Sequence, residues 1–281
     1  MGNGRLYRTE GIVMHRRDQG EADRVLRLCT PAGKVDVLAK GARKLRSRKA
    51  GHIELFSRSS FVLSRVPNYW DIISQAETLE PHASLRNHLL RGAYARYIVE
   101  LFDRFFTEAQ GGTATFDLLN RSLAWLCEAE EGGLDTVARF YEQHLLGLAG
   151  FRPELFRCVG QHNEPRALHV GQLGESRRPY GFAPEHGGAL CPDCYDLRRR
   201  LPDVMALSPN ALQFLQQCQH SSYTTLASRS VSRQLHEEME RVMRHYVTYH
   251  LEQDVKAAAF LRQIRRMGMH SSNLAGGIHS E

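Results

Sequence analysis

Residues 33–51, GKVDVLAKGARKLRSRKAG, set the reading of the whole chain. They open as a strand. Val35, Val37 and Ala39 fall on one face and Lys34, Asp36 and Lys40 on the other, a period of two. Gly41 then turns the chain into a loop. Between Lys40 and Lys49 stand six basic residues (Lys40, Arg43, Lys44, Arg46, Arg48, Lys49) and no acidic one. Such a run resists burial, because each unpaired charge is costly to desolvate. It belongs in water or against a polyanion. A charged strand face feeding a basic loop is a common way for a small β domain to build a positively charged groove for single-stranded nucleic acid. A solvated surface loop is the plain alternative.

Working outward, residues 5–77 read as five short strands separated by turn signals. They are centred on GIVMH (11–15), RVLRLC (24–29), residues 34–40, SFVLSR (60–65) and YWDIIS (69–74). Five such strands suit a small barrel of the OB type, and an SH3-like barrel gives much the same pattern. Tyr69 and Trp70 follow the Pro67-Asn68 turn, where their rings either stack on bases or pack at the sheet edge. The charge distribution singles out the same segment. Residues 1–80 hold 15 Lys and Arg against 9 Asp and Glu, whereas the remaining 201 residues hold 22 of each. The net charge of +6 therefore resides in the barrel segment, and a polyanionic partner should meet it there.

From about Leu79 the period becomes helical. Leu90, Tyr94, Tyr97, Ile98, Leu101 and Phe105 stripe a helix over 83–106. Phe116, Leu119, Leu123 and Leu126 mark a second, and Val137, Phe140, Tyr141, Leu145 and Leu148 a third that stops at Gly150. Ser208-Pro209 is a helix start with an N-cap serine and a first-turn proline. Helices over 232–252 and 255–266 follow, and the Gly/Ser/His-rich tail 268–281 is expected to be disordered. No apolar run reaches ~18 residues, so no membrane span is expected. The N-terminus has no apolar signal core, and Leu6 stands where a myristoylation signal needs Ser or Thr. The expected location is cytoplasmic.

Residues 152–200 lose periodicity, and a loop of that length needs a cause. Of the six cysteines, Cys29, Cys127 and Cys218 stand alone and read as reduced core thiols. Cys191-Pro-Asp-Cys194 is a tight pair with Cys158 upstream. A standard ribbon would place a cysteine at 161, but that residue is Gln161; His162 comes one later. Cys158, His162, Cys191 and Cys194 make a usable Cys3His set for one zinc per chain, with His169 and His186 as other candidates and a metal-free ribbon as the alternative. A catalytic reading sets His162-Asn-Glu164 and Cys191-x-x-Cys194 beside the zinc deaminase pattern H-x-E…P-C-x-x-C. Pro192 follows the first cysteine rather than preceding it, and Glu164 is followed by Pro165, so the fit is poor. No Walker loop or G-x-G-x-x-G is present.

The order of parts resembles the bacterial DNA repair and recombination mediator family RecO. The resemblance is carried by GKVDVLAKGARK (33–44), FYEQHLLGLAG (140–150), FAPEHGGALCPDC (182–194), HLEQDVK (250–256) and FLRQ (260–263), over nearly all of residues 5–267. It implies an α+β multidomain chain: an OB-type barrel at 1–80, then an all-α domain at 81–267 with a zinc-ribbon-like cysteine module inserted at 152–200. It implies a non-enzymatic role as well. Family members bind single- and double-stranded DNA, anneal complementary strands and help load RecA onto strands coated with single-strand-binding protein (SSB). They act with RecR, in some cases with RecF, and with the acidic C-terminal tail of SSB, in the cytoplasm at the nucleoid. Gln161 departs from the zinc-bearing members. On this reading Lys34, Lys40, Arg43, Lys44, Arg46 and Arg48 contact phosphates, and no residue is catalytic. The competing reading outside the family is a basic barrel that docks an acidic protein tail.

Overall fold

The computed structural model describes residues 5–107, 112–168 and 178–275, with side chains up to 267. The chain folds as two compact units. One takes the residues up to Glu128 together with those from Lys256 onward, and the other takes Ala129–Val255. The division does not follow the change from strand to helix near residue 80. The first three helices and the last one pack with the barrel.

In the first unit, β1 (Leu6–Gln19), β2 (Asp23–Thr30), β3 (Gly33–Ala39), β4 (Arg58–Ser64) and β5 (Asp71–Glu80) close into a barrel of order β1-β2-β3-β5-β4. Strand β3 runs parallel to β5, while the other pairs are antiparallel. This is a five-stranded OB-like barrel. Strand β1 is much longer than the GIVMH segment suggests, because its polar ends are also ladder partners: Leu6 faces Ser64 and Gln19 faces Asp23. The residues 16–18 that resemble a turn are strand, and the chain reverses only at Gly20, where φ is +58°. A bulge between Val13 and His15 lets this long strand bend around the barrel.

The barrel interior holds Val13, Leu26, Leu28, Val37, Ala39, Phe61, Leu63 and Ile73, with Val35 packed at its edge. The period-two face of residues 33–39 is thus its inner face. Ala42 and Ile53, from the segment between β3 and β4, complete the same core. Each fully buried Leu, Ile or Phe contributes about 1.5–3 kcal/mol. The connecting segment is therefore held at two apolar points.

Helices α1 (Ala83–Asn87), α2 (Leu89–Phe105) and α3 (Thr113–Glu128) follow. The single helix expected over 83–106 is broken at His88, whose backbone is extended and whose ring accepts from the Arg91 N–H as an N-cap. Arg91 in turn donates to the carbonyls of Leu126 and Cys127, which the end of α3 leaves unpaired. The last helix of the chain, α9 (Lys256–Ala275), joins this unit. Its first N–H groups, Lys256 and Ala257, donate to the Glu100 carboxylate of α2 at 2.9 and 2.6 Å. The expectation of disorder from residue 268 is corrected as far as Ala275, which is helical; 276–281 lie outside the described residues. A lone Gly268 costs only about 1 kcal/mol in a helix and does not end one.

The second unit is built on α4 (Leu134–Leu148), whose buried side includes Val137, Phe140, Tyr141, Leu145 and Leu146. It packs with three further helices, α6 (Pro209–His220), α7 (Tyr223–Ala227) and α8 (Arg233–Leu251). Ser208 caps α6 as its sequence suggests, and its own N–H and hydroxyl donate to Glu238 of α8 at 2.6 and 2.8 Å. Between α4 and α6 stand β6 (Tyr180–Ala183), β7 (Gly188–Leu190), the short helix α5 (Pro192–Arg198) and β8 (Met205–Leu207). The three strands form a sheet of order β7-β6-β8. The described residues of the aperiodic stretch thus form a small module, and its sheet runs past residue 200 because β8 pairs with β6.

Candidate nucleic-acid interface and metal centre

The basic segment after β3 is a pinned turn. Gly41 takes φ of +68°, a conformation that favours glycine. Its N–H donates to the Asp23 carboxylate at 2.7 Å, and the Arg43 N–H donates to the Ala22 carbonyl at 2.9 Å. Lys44 and Ser47 N–H groups close successive turns onto the Gly41 and Lys44 carbonyls. Lys49, basic by sequence, faces inward. Its ammonium donates to the Ile73 and Lys40 carbonyls at 2.8 and 3.3 Å, and burial pulls its pKa down. It stitches the turn to β5.

What remains outward is Lys40, Arg43, Lys44, Arg46 and Arg48, all exposed, with Leu45 fully exposed among them. Among the described residues, no carboxylate lies within ion-pair reach of Lys40, Lys44, Arg46 or Arg48. Arg43 lies 3.3 Å from Asp18 and donates to the Gly20 carbonyl. An exposed pair of this kind contributes no more than about 1 kcal/mol, so a phosphate can compete for it. Several other barrel arginines are paired with carboxylates: Arg16 with Glu54, Arg24 with Asp18, and Arg58 with Glu10 and Glu80.

Lys34 does not belong to this surface. Its side chain is only 6% exposed, and its ammonium lies 2.8 Å from the Asp103 carboxylate and 2.7 Å from the Asp103 carbonyl. Arg27 and His15 reach the same carboxylate. Burial alone would raise the Asp103 pKa, but hydrogen bonds from His15 and Lys34 and the charges of Lys34 and Arg27 hold it well below the usual carboxylate range. The expectation of a phosphate contact at Lys34 is therefore corrected. The lysine is on the polar face of β3, as its alternation says, but at that end of the strand α2 supplies Asp103 as its partner.

The cysteine module brings Cys158, His162, Cys191 and Cys194 together, with their ligand atoms all within 4.8 Å of one another. The His162 Nε2 lies 3.3 Å from the Cys194 sulfur and 3.6 Å from that of Cys191. Backbone N–H groups of Cys191 and Gly160 donate to the Cys158 sulfur at 3.1 and 3.4 Å. Cys191 precedes α5, and Pro192 opens the helix that carries Cys194. Cys158 sits on a strand-like segment whose N–H donates to Arg166 and whose next residue, Val159, donates to Ala189.

Gly160 fits the chain around the sulfurs. A Cβ there would lie 2.5 Å from the Cys194 sulfur and 3.3 Å from that of Cys158. Gln161 is exposed, and the extra residue after this glycine turns His162 inward, which accounts for the departure from Cys-x-x-Cys. His186 is exposed and outside the cluster, and His169 lies outside the described residues. Burial, and then repulsion from Cys158 and Cys191, pushes the Cys194 thiol up. Such crowding is relieved by a cation. Three thiols and an imidazole are a donor set for a metal such as zinc, of the closed four-ligand kind. Glu164, the proton carrier of the deaminase reading, is exposed on a loop. Asp193 of α5 pairs with Arg166 at 2.7 Å and with Arg178 at 2.8 Å.

Two elements of the site carried little sequence signal. The role of Gly160 depends on the sulfurs folding around it. Arg17 places its guanidinium 5.0 Å from the centre of the Trp70 ring, a pairing that only the closure of the barrel creates. Among the described residues no helix is long and apolar enough to cross a membrane.

Comparison with known proteins matches residues 3–82 to the family described as "Recombination protein O N terminal" and residues 86–259 to "Recombination protein O C terminal". The chain is 36% identical over 273 residues to the DNA repair protein RecO of Roseiflexus sp. (strain RS-1), covering 97% of this chain and 91% of that one. It is 30% identical over 264 residues to the RecO of Dehalococcoides mccartyi (strain ATCC BAA-2266 / KCTC 15142 / 195), covering 94% and 98%. To the RecO of Desulforamulus reducens it is 32% identical over 276 residues, covering 98% and 99%. With both family segments matched in order and relatives aligned along almost the entire chain, this protein belongs to the recombination protein O (RecO) family of DNA repair proteins.

Proposed function

We propose that this protein is a DNA-binding recombination mediator that binds single- and double-stranded DNA, anneals complementary strands and helps load RecA onto SSB-coated single strands. The observation that carries the reading is the pinned turn with its outward Lys40, Arg43, Lys44, Arg46 and Arg48. These cations project from a fixed backbone, so little chain entropy is lost when phosphates dock. Docked phosphates release counterions, which supplies affinity without reading sequence. Two complementary strands held on such a surface repel each other less, which favours their pairing. The role is non-catalytic and cytoplasmic at the nucleoid, with RecR, the acidic SSB tail and in some settings RecF as partners. Cys158, His162, Cys191 and Cys194 would hold one zinc per chain. When bound, the metal supplies a structural cross-link that ties residues 158–162 to α5.

The test is a salt titration of binding to a single strand and to a duplex. The log–log slope should be close to −0.7 per phosphate contact on single strands and −0.9 on duplex. Different base sequences of equal length should bind nearly alike. Affinity that does not change with salt would remove the reading.

A further inference from the structure

Where β3 and β5 run side by side, a cleft of about 320 Å³ opens between Lys34, Val35 and Asp36 on one wall and Tyr69, Trp70 and Asp71 on the other. It lies at the small end of ligand pockets. The pinned basic turn leaves the opposite end of β3. Lys34 and Lys40 are six residue steps apart along the extended chain, a span of about 20 Å.

The polar groups of the cleft are already engaged. The Lys34 ammonium is held by Asp103. The Asp36 carboxylate accepts two bonds from Arg27, at 2.8 and 3.0 Å. The Asp71 carboxylate accepts from the Tyr7 hydroxyl at 2.5 Å and from the Val66 N–H at 3.2 Å. A phosphate entering the cleft would meet two carboxylates and no available ammonium, so it would be repelled. A flat, uncharged ring with N–H groups on its edge would meet acceptors and aromatic surface.

The aromatic wall is presented rather than packed away. Tyr69 is 56% exposed, and its ring centre lies 5.1 Å from that of Trp70. The Pro67-Asn68 turn fixes their approach, with Asn68 at φ of +59° and the Tyr69 N–H donating to the Val66 carbonyl. Arg17, exposed, stacks its guanidinium against Trp70. More than half of Tyr69 stands in water, and neither residue belongs to the barrel's core cluster. Base stacking on an aromatic, with a cation beside it for the neighbouring phosphate, is the usual grip on a single strand.

We propose that the Tyr69–Trp70 cleft is a subsite for an unpaired nucleobase, which gives the protein a preference for single strands that the basic turn alone cannot supply. The inference rests on the DNA-binding reading above and deepens it. A duplex keeps its bases stacked inside and cannot fill the cleft.

The test uses the full chain at one salt concentration with three probes of equal length: a mixed-sequence single strand, an abasic single strand, and a duplex. The wild type should bind the base-bearing strand about tenfold more tightly than the abasic strand. The Tyr69→Ala/Trp70→Ala variant should lose that margin while binding the abasic strand and the duplex as before. Tyr69→Ala alone, at an exposed position, should lose part of it, and Trp70→Phe, which keeps an aromatic face, should retain most of it. Equal wild-type binding to base-bearing and abasic strands overturns the subsite and leaves the DNA-binding reading intact. So does an unchanged margin in the double variant, or a parallel loss on all three probes. A wild type that binds none of the three overturns both.

Discussion

Lys34 Nζ lies 2.8 Å from the Asp103 carboxylate and 2.7 Å from the Asp103 carbonyl, with only 6% of the lysine side chain in water. The pair joins the barrel to α2, and Arg27 and His15 share the same carboxylate. Lys34→Ala should therefore behave as a folding variant, leaving Asp103 partly buried without its main cation. The expected loss is about 2–4 kcal/mol, near the range for breaking one side of a buried pair. DNA affinity per folded molecule should not change. Denaturant melts and a binding titration on the same sample check both halves, and a normal melt with weakened DNA binding would return Lys34 to the interface.

Arg43, Lys44 and Arg46 should behave in the opposite way. They are exposed, so replacing all three with Ala should move the melt by no more than about 0.5 kcal/mol for each residue. The slope of log affinity against log salt on single strands should become shallower by about 2, because three contacts at roughly 0.7 each are lost. An unchanged slope would mean that the turn is only a solvated surface.

Gly160→Ala tests the metal centre without touching a ligand. Its new methyl group would lie 2.5 Å from the Cys194 sulfur. Metal content by atomic absorption should fall below the about one zinc per chain expected of the wild type, as it should in Cys191→Ser. Residues 152–200 should become more sensitive to protease in both variants, and the wild type should follow when a strong chelator is added. His186→Ala should retain the metal and His162→Ala should not. Full zinc content in His162→Ala would exclude the Cys3His assignment.

His236 of α8 supplies a pH dependence. Burial, reinforced by the charge of Arg139, lowers its pKa to about 4. In the unfolded chain it titrates near 6.5. The unfolded state therefore binds a proton more readily, and this site favours unfolding as pH falls below about 6.5. The effect grows until the folded histidine is protonated near pH 4 and is constant below that. It should amount to about 3 kcal/mol, and the stability profile of His236→Phe should be flatter across that window. Denaturant melts between pH 4 and 7 provide the comparison, and equal profiles would sink the assignment.

The barrel was legible because alternation survives wherever only one face of a strand is buried, as in 58–64, while β3 is buried on both faces from Val37 to Ala39. Alternation failed at the ends of β1, where Arg16, Arg17 and Asp18 are ladder residues whose side chains reach water. Composition does not distinguish such residues from a turn. The helical stripes were equally legible, but not their grouping. Nothing in residues 255–266 announces that Glu100, more than 150 positions away, caps the helix they begin. The cysteine set was legible by chemistry, including His162, and the geometry adds why position 161 can be glutamine. Lys34 shows the limit of charge patterning: a polar strand face need not be a wet one, and only the placement of Asp103 distinguishes the two.

The central claim is that the outward cations of the turn let this protein pair complementary DNA strands. The direct measurement is the rate at which two complementary oligonucleotides, each coated with SSB, anneal with and without the protein. The wild type should accelerate annealing, Arg43→Ala/Lys44→Ala/Arg46→Ala should lose most of that acceleration, and Cys191→Ser should keep it, since its barrel is unaltered. No acceleration by the wild type, or full acceleration by the triple variant, would contradict the account.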